Sequence, residues 1–309
     1  MKKSNNRVWL DGRIVSLDGA TVPIFSHAVG RGSAIFEVMT CHATPAGPML
    51  FRPQAYIRRL RNSARLVGMK LPYASDELLQ AIKTAVKANN VSKAIIKIIA
   101  LWPAVEFEVL PSDPKLSVAI IAFNPEEGIY RSRRIKFDEL LVASTVAIRK
   151  LDPRTVPVEA KVAANYLNAM LARREALKKG ADVPIMLDVH GYLSEGATES
   201  LFLVHKGKLF TPRLDNILPG ITRDSVLKIA RRLKIPSIEK RLMPEKLKSA
   251  DEIFFTTSPM KIWPASHLNG RRIGNGLPGP ITTTLRSALA KIIRGDDPSF
   301  SHWLVPVCV

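Results

Sequence analysis

Residues 159–171, E-A-K-V-A-A-N-Y-L-N-A-M-L, and 188–202, D-V-H-G-Y-L-S-E-G-A-T-E-S-L-F, decide how this 309-residue chain is read. The first carries an amine at Lys161 and a phenol at Tyr166; the second carries carboxylates at Glu195 and Glu199. Lys161 follows the proline-stiffened loop L-D-P-R-T-V-P (151–157) and has the small neighbours Ala163 and Ala164, so it is expected to begin a helix in a partly desolvated place. A lysine held that way is a nucleophile or a base. The helix is expected to bury Leu167, Met170 and Leu171 and to turn Arg173, Arg174, Lys178 and Lys179 to solvent. It should stop at Gly180.

Working outward, 309 residues with 46% hydrophobic content can bury two domains. Asp11-Gly12 between alternating segments signals a hairpin. Gly30 and Gly32 mark a tight backbone before a strand at 35–40. Helices are expected at 54–67, after Pro53, and at 76–89, with strands at 94–101 and 116–123. Strands packed on helices make residues 1–123 a smaller N-terminal α/β domain. The turn-rich N-P-E-E-G-I-Y-R-S gives a linker at 124–134, and residues 135–309 form the second domain. There, Leu218-Pro219-Gly220-Ile221-Thr222 opens a helix to about Leu233, and a last helix spans 281–294.

Composition narrows the function. The formal charge is +19, but the basic pairs, such as Arg58-Arg59, Arg133-Arg134 and Arg271-Arg272, are dispersed, aromatics are 6%, and no zinc-finger, KH or RNP spacing occurs. A solvated basic surface is the reading, with nucleic-acid binding kept as a minor alternative. Cys41 and Cys308 fit no metal or redox spacing, so two free thiols and no metal are expected. The basic N-terminus lacks an apolar h-region and no apolar run reaches membrane-spanning length, which places the protein in the cytoplasm.

The segments K-V-A-A-N-Y-L, D-V-H-G-Y-L-S-E-G-A-T-E-S-L-F and L-P-G-I-T-R-D, in that order, resemble the fold-type IV pyridoxal-phosphate enzymes. These include the branched-chain amino acid aminotransferases, the D-amino acid aminotransferases and the aminodeoxychorismate lyases. The resemblance implies a two-domain α+β fold whose larger C-terminal domain is β-barrel-like with helices. It also implies roles. Lys161 matches the lysine that forms the internal aldimine with pyridoxal 5'-phosphate and moves the substrate proton. Glu195 matches the carboxylate at the pyridine nitrogen, with Glu199 as a nearby rival, and Tyr166 matches the donor at the phenolic oxygen. Arg59, the Ile221 and Thr222 N–H groups, the Thr222 hydroxyl and Ser258 match the phosphate site.

Substrate recognition departs from the pattern. Typical branched-chain enzymes carry tyrosine where this chain has Arg31, glycine at Val38, and tyrosine and arginine at Ile95 and Lys97. Pro259, beside Met260, lacks an N–H that could bind a substrate carboxylate. Phe36 matches and can wall an apolar pocket, while Arg31 and Lys97 can hold a carboxylate. Val38 leans toward the D-amino acid enzymes, whose arginine–histidine carboxylate pair is nevertheless missing.

The expectation is an aminotransferase exchanging an amino group between an apolar, branched-chain amino acid and 2-oxoglutarate. The resemblance implies a homodimer with its active site between the domains, closed by a loop of the partner subunit. A D-amino acid aminotransferase or an aminodeoxychorismate lyase is the alternative of the same family. A pyridoxal-phosphate-binding protein without transaminase activity, or a basic nucleic-acid-binding protein, is the alternative of another class.

Overall fold

The computed structural model describes residues 6–126 and 139–308, so positions 127–134 of the expected linker lie outside the described residues. In chain order the elements are β1 (Arg7–Leu10), β2 (Arg13–Ser16), α1 (His27–Arg31), β3 (Ala34–Thr44), β4 (Gly47–Phe51), α2 (Pro53–Leu66), α3 (Ser75–Ala88), β5 (Ala94–Leu101) and β6 (Ser117–Phe123). Then follow β7 (Leu141–Thr145), α4 (Tyr166–Lys178), β8 (Val183–Ile185), β9 (Ser200–His205), β10 (Lys208–Thr211), α5 (Ile221–Arg232), β11 (Ser237–Glu239), β12 (Glu252–Thr257), β13 (Lys261–Leu268), β14 (Arg271–Arg272), α6 (Pro280–Arg294) and β15 (Leu304–Pro306).

Two compact units result. One comprises Met1–Ile135, Ala160–Ala164 and Lys291–Val309; the other comprises Lys136–Glu159 and Asn165–Ala290. The α+β, two-domain character is as expected. The units are of nearly equal length, because 160–164 and 291–309, assigned from sequence to a larger second domain, group with the first.

The first unit is a seven-stranded antiparallel sheet, ordered β15-β4-β3-β5-β6-β1-β2, on which α2 and α3 pack. Its hairpin turn at Asp11-Gly12 takes left-handed backbone at both residues, as an Asp-Gly turn should. Along β3 the alternation of a strand buries Ile35, Glu37 and Met39. The opposite face presents Phe36 and Val38. Directly across on β5, Phe36 faces Ile99, Val38 faces Lys97 and Thr40 faces Ile95.

The second unit is built on a mixed sheet of eight strands, β11-β10-β9-β12-β13-β7-β8 with β14 beside β13. Its centre is dry: Phe202 and Phe254, cross-strand partners with no exposed surface, stack with centroids 4.9 Å apart. Each buried ring contributes roughly 1.5–3 kcal/mol.

α4 departs from the sequence reading twice. It begins at Tyr166, with Lys161 outside it. It also buries Ala169, Ala172 and Ala176, while Leu167 and Met170 are exposed. The alanines repeat with helical spacing as faithfully as the larger residues do, and their small side chains let the helix approach Val146, Ala181 and Met186 closely. β13, a central strand, has no counterpart in the sequence reading, because Pro264 and the polar ends of K-I-W-P-A-S-H-L mask it.

Candidate active site

In the first unit, residues 160–164 run extended along the edge of β3. The Phe36 N–H donates to the Lys161 carbonyl at 3.0 Å and the Ala163 N–H to the Ala34 carbonyl at 2.7 Å, around an antiparallel bridge between Ile35 and Val162. The Lys161 N–H donates to the Ser63 hydroxyl of α2 at 2.9 Å. A helix from Lys161 would leave those strand-edge groups unsatisfied, which explains the later helix start. Gly32, with φ of 67°, makes room: a Cβ there would lie 3.0 Å from the Ala164 Cβ.

So held, Lys161 is buried and its Nζ lies 4.8 Å from the Phe36 ring centroid, over the face of the ring. Lys97 Nζ lies 5.3 Å from the same centroid. Phe36, Val38, Ile95 and Lys97 therefore share one face of β3 and β5 with the Lys161 amine. Arg31 is placed differently: it is exposed at the end of α1 and donates to the Phe107 carbonyl at 2.7 Å.

Arg59 is buried on α2, where its Nε and Nη2 each lie 2.7 Å from the two carboxylate oxygens of Glu37. Glu37 is wholly buried, and the fork-to-fork geometry fixes the guanidinium plane. Glu37 was not singled out from sequence. Its inward position in the strand alternation, two residues from the apolar Ile35 and Met39, was the available signal.

In the second unit Glu195 is buried, its carbonyl accepting the Met186 N–H at 3.0 Å. Its Oε1 lies 2.5 Å from Lys150 Nζ and 3.5 Å from the Leu218 N–H. Lys150 was not singled out from sequence, where one lysine among 46 basic residues carries no signal. The rival Glu199 is committed elsewhere: its carboxylate pairs with Arg173 and accepts from the Thr198 N–H and hydroxyl. Arg173 therefore turns inward, against the solvent-facing role expected of it. Tyr166 is the half-buried first residue of α4.

α5 begins with buried Ile221 and Thr222 after Gly220. A Cβ on Gly220 would meet the Ser200 hydroxyl at 2.6 Å, so the backbone stays bare at a helix start whose N–H groups and dipole favour an anion. The Thr222 hydroxyl donates to the Thr257 carbonyl at 3.0 Å, tying α5 to the β12–β13 turn that carries Ser258, Pro259 and Met260. The Met260 N–H donates back to the Thr257 hydroxyl at 3.0 Å and the Lys261 amine to the Ser258 carbonyl at 2.7 Å. Lys261 is half-buried as a residue, but its amine end lies inside the protein, and desolvation lowers its pKa to about 7.

The first unit supplies a buried amine and a buried arginine, and the second a buried carboxylate with a cationic partner and a helix start kept bare by glycine; each of these group types fits pyridoxal phosphate. Among the described residues no cluster of His, Cys, Asp or Glu could hold a metal ion, and no helix is long and apolar enough to cross a membrane. Cys41 is free and buried, its thiol pushed up to about 12 by burial, and Cys308 is free and exposed.

Residues 34–268 match the family described as amino-transferase class IV. The chain is 34% identical to a branched-chain-amino-acid aminotransferase of Salmonella typhimurium, over 99% of this chain and 98% of that one. The crystal structure of the Escherichia coli branched-chain amino acid aminotransferase superposes with a TM-score of 0.92 at 33% identity, covering 98% of this chain and 99% of that one. The enzyme of Thermobaculum terrenum, described in its PLP-form, superposes at 0.90 with 28% identity and full coverage of both chains.

Two outcomes are expected. Glu37→Ala removes the bidentate partner of a buried guanidinium and should lower the unfolding free energy in urea by about 3–5 kcal/mol. For Lys261, the folded-state value of about 7 lies below the ordinary 10.5, so between them the unfolded chain holds a proton that the folded one lacks. Stability should therefore rise with pH across that window, and the rise should shrink in Lys261→Met when urea midpoints are compared at pH 7 and pH 10.

Proposed function

Starting from a chain that belongs to the class IV aminotransferases and is a pyridoxal-phosphate-dependent transaminase, we propose that it moves amino groups between branched-chain amino acids and 2-oxoglutarate. The observation that carries this reading is the apolar surface of Phe36, Val38 and Ile95 on the sheet face where the Lys161 amine stands. Such a surface suits an aliphatic side chain beside the reacting amine.

When bound, the cofactor supplies an aldehyde that takes up amines and a ring that accepts electrons. Lys161 would hold the aldehyde carbon and would carry the proton at the substrate α-carbon. Glu195 would hold the ring nitrogen, and Tyr166 would meet the phenolic oxygen. The phosphate would be held by Arg59, the Ile221 and Thr222 N–H groups, the Thr222 hydroxyl and Ser258. Lys97, on the face that carries the Lys161 amine, meets a substrate carboxylate, and the turn of Pro259 and Met260 borders the substrate.

We further place the enzyme in the cytoplasm as a homodimer. Support for a second copy comes from Ile24, Phe25, Val29, Val105, Phe107, Val109 and Leu110, all exposed. Their two segments are joined by a Ser26–Val105 bridge and by the His27 N–H donating to the Ala104 carbonyl, which makes one apolar patch of the kind that marks an interface.

Purified protein should absorb in the visible, and borohydride should fix the chromophore to Lys161. Lys161→Ala should lose at least about a thousandfold in kcat while retaining cofactor through the phosphate site. L-Valine, L-leucine and L-isoleucine should be donors to 2-oxoglutarate. Turnover confined to D-amino acids, or pyruvate release from aminodeoxychorismate, would overturn the substrate reading. For the dimer, Phe107→Asp with Leu110→Asp should shift the sedimentation coefficient from dimer to monomer; an unchanged value rejects that surface.

A further inference from the structure

Lys150 has no part in the roles assigned above, yet it forms a short, largely buried ion pair with Glu195. Their side chains are 14% and 8% exposed and the Nζ to Oε1 distance is 2.5 Å. Both residues hang from the same short stretch after β8. The Lys150 N–H donates to the Leu187 carbonyl at 2.9 Å, and the Glu195 carbonyl accepts from the adjacent Met186 N–H at 3.0 Å. The Ser194 N–H returns to the Met186 carbonyl at 3.0 Å. Asn168 of α4 fixes the preceding residue by donating to the Arg149 carbonyl at 2.8 Å. The pair is thus positioned by backbone on both sides rather than by the flexibility of a surface lysine.

Every described donor to this carboxylate, Lys150 Nζ and the more distant Leu218 N–H, meets Oε1. Oε2 therefore receives no donor among the described residues. We propose that Lys150 is the positioning residue for Glu195, fixing its orientation and balancing its charge so that Oε2 keeps a proton on the ring nitrogen of the cofactor. This rests on the assignment of Glu195 to that nitrogen made above.

The physical argument concerns one shared proton. An ammonium against one oxygen makes the carboxylate a poorer proton acceptor, so the proton stays on the ring nitrogen and the ring remains electron-withdrawing. Without that ammonium the carboxylate, in a poorly solvated place, has the protonated ring nitrogen as its one charged neighbour, and the shared proton moves from the ring toward it. No proton is gained or lost; its position changes. Arginine in place of Lys150 would preserve the charge, and methionine would preserve only the bulk.

The test uses the holoenzyme and its Lys150→Met and Lys150→Arg variants. Two quantities are read: the pH midpoint of the bound cofactor's visible absorbance change, and kcat separately from KM. Lys150→Met should raise the midpoint by about one unit or more, because loss of the ring proton removes a nearby positive charge. It should lower kcat about tenfold or more and leave KM for the amino acid within about twofold. Lys150→Arg should restore both. A Lys150→Met enzyme with full cofactor content and an unchanged midpoint and kcat overturns the proposal.

A purely structural role is excluded by the same change in a Glu195→Gln background. There, no carboxylate charge remains to balance, so adding Lys150→Met should leave the midpoint where Glu195→Gln alone puts it. A further shift of the same size overturns the proposal. If the unmodified protein takes up no pyridoxal phosphate, the assignment of Glu195 fails first, and that result is distinct from bound cofactor with an indifferent Lys150.

Discussion

The unpaired edge of β3 governs where Lys161 is placed. Along β3, β4 pairs with Cys41–Thr44 alone, so the Ala34 carbonyl and the Phe36 N–H would face outward without partners. Residues 160–164 satisfy them by running extended beside β3, and the Ser63 hydroxyl takes the Lys161 N–H. A lysine far along the chain is thereby fixed through its backbone to the first unit. Its amine lies over the ring of Phe36. The arrangement needs small residues, which is why Gly32 and Ala164 meet there.

Three buried carboxylates are handled alike. Glu37 is matched by Arg59, Glu195 by Lys150 and Glu199 by Arg173, each acid largely withdrawn from water and each given one base. Desolvation makes an unmatched carboxylate costly, so a buried acid implies its partner. The pairs then differ in use. Arg173 and Thr198 occupy Glu199, which makes it a fastener of the 195–199 loop. Both described donors to Glu195 gather on Oε1. Two carboxylates four residues apart are thus partnered differently.

Part of this was legible beforehand. The helix spans after Pro53 and before Gly180, the strands at 94–101 and 117–123, and the Gly220 helix start all follow from local patterns of apolar spacing, proline and glycine. The phase of α4 was not. Leu167 and Met170 looked like its core because they are large, whereas Ala169, Ala172 and Ala176 are buried because close approach favours small residues. Nor was the extended course of residues 160–164, since its cause is a strand edge more than a hundred residues earlier.

Sequence alone determined the residue types and their order: an amine at 161, a phenol at 166, a carboxylate at 195, a glycine-led helix start at 220, and the family these imply. Such features are local, carried by side-chain chemistry and short-range backbone preference. Tertiary structure decided which groups act on one another. It put Lys161 beside Phe36, Val38, Ile95 and Lys97, gave Arg59 to Glu37, and placed Lys150 against Glu195. Those choices depend on satisfying buried hydrogen bonds and charges between segments distant in sequence, a requirement that exists only once the chain has folded.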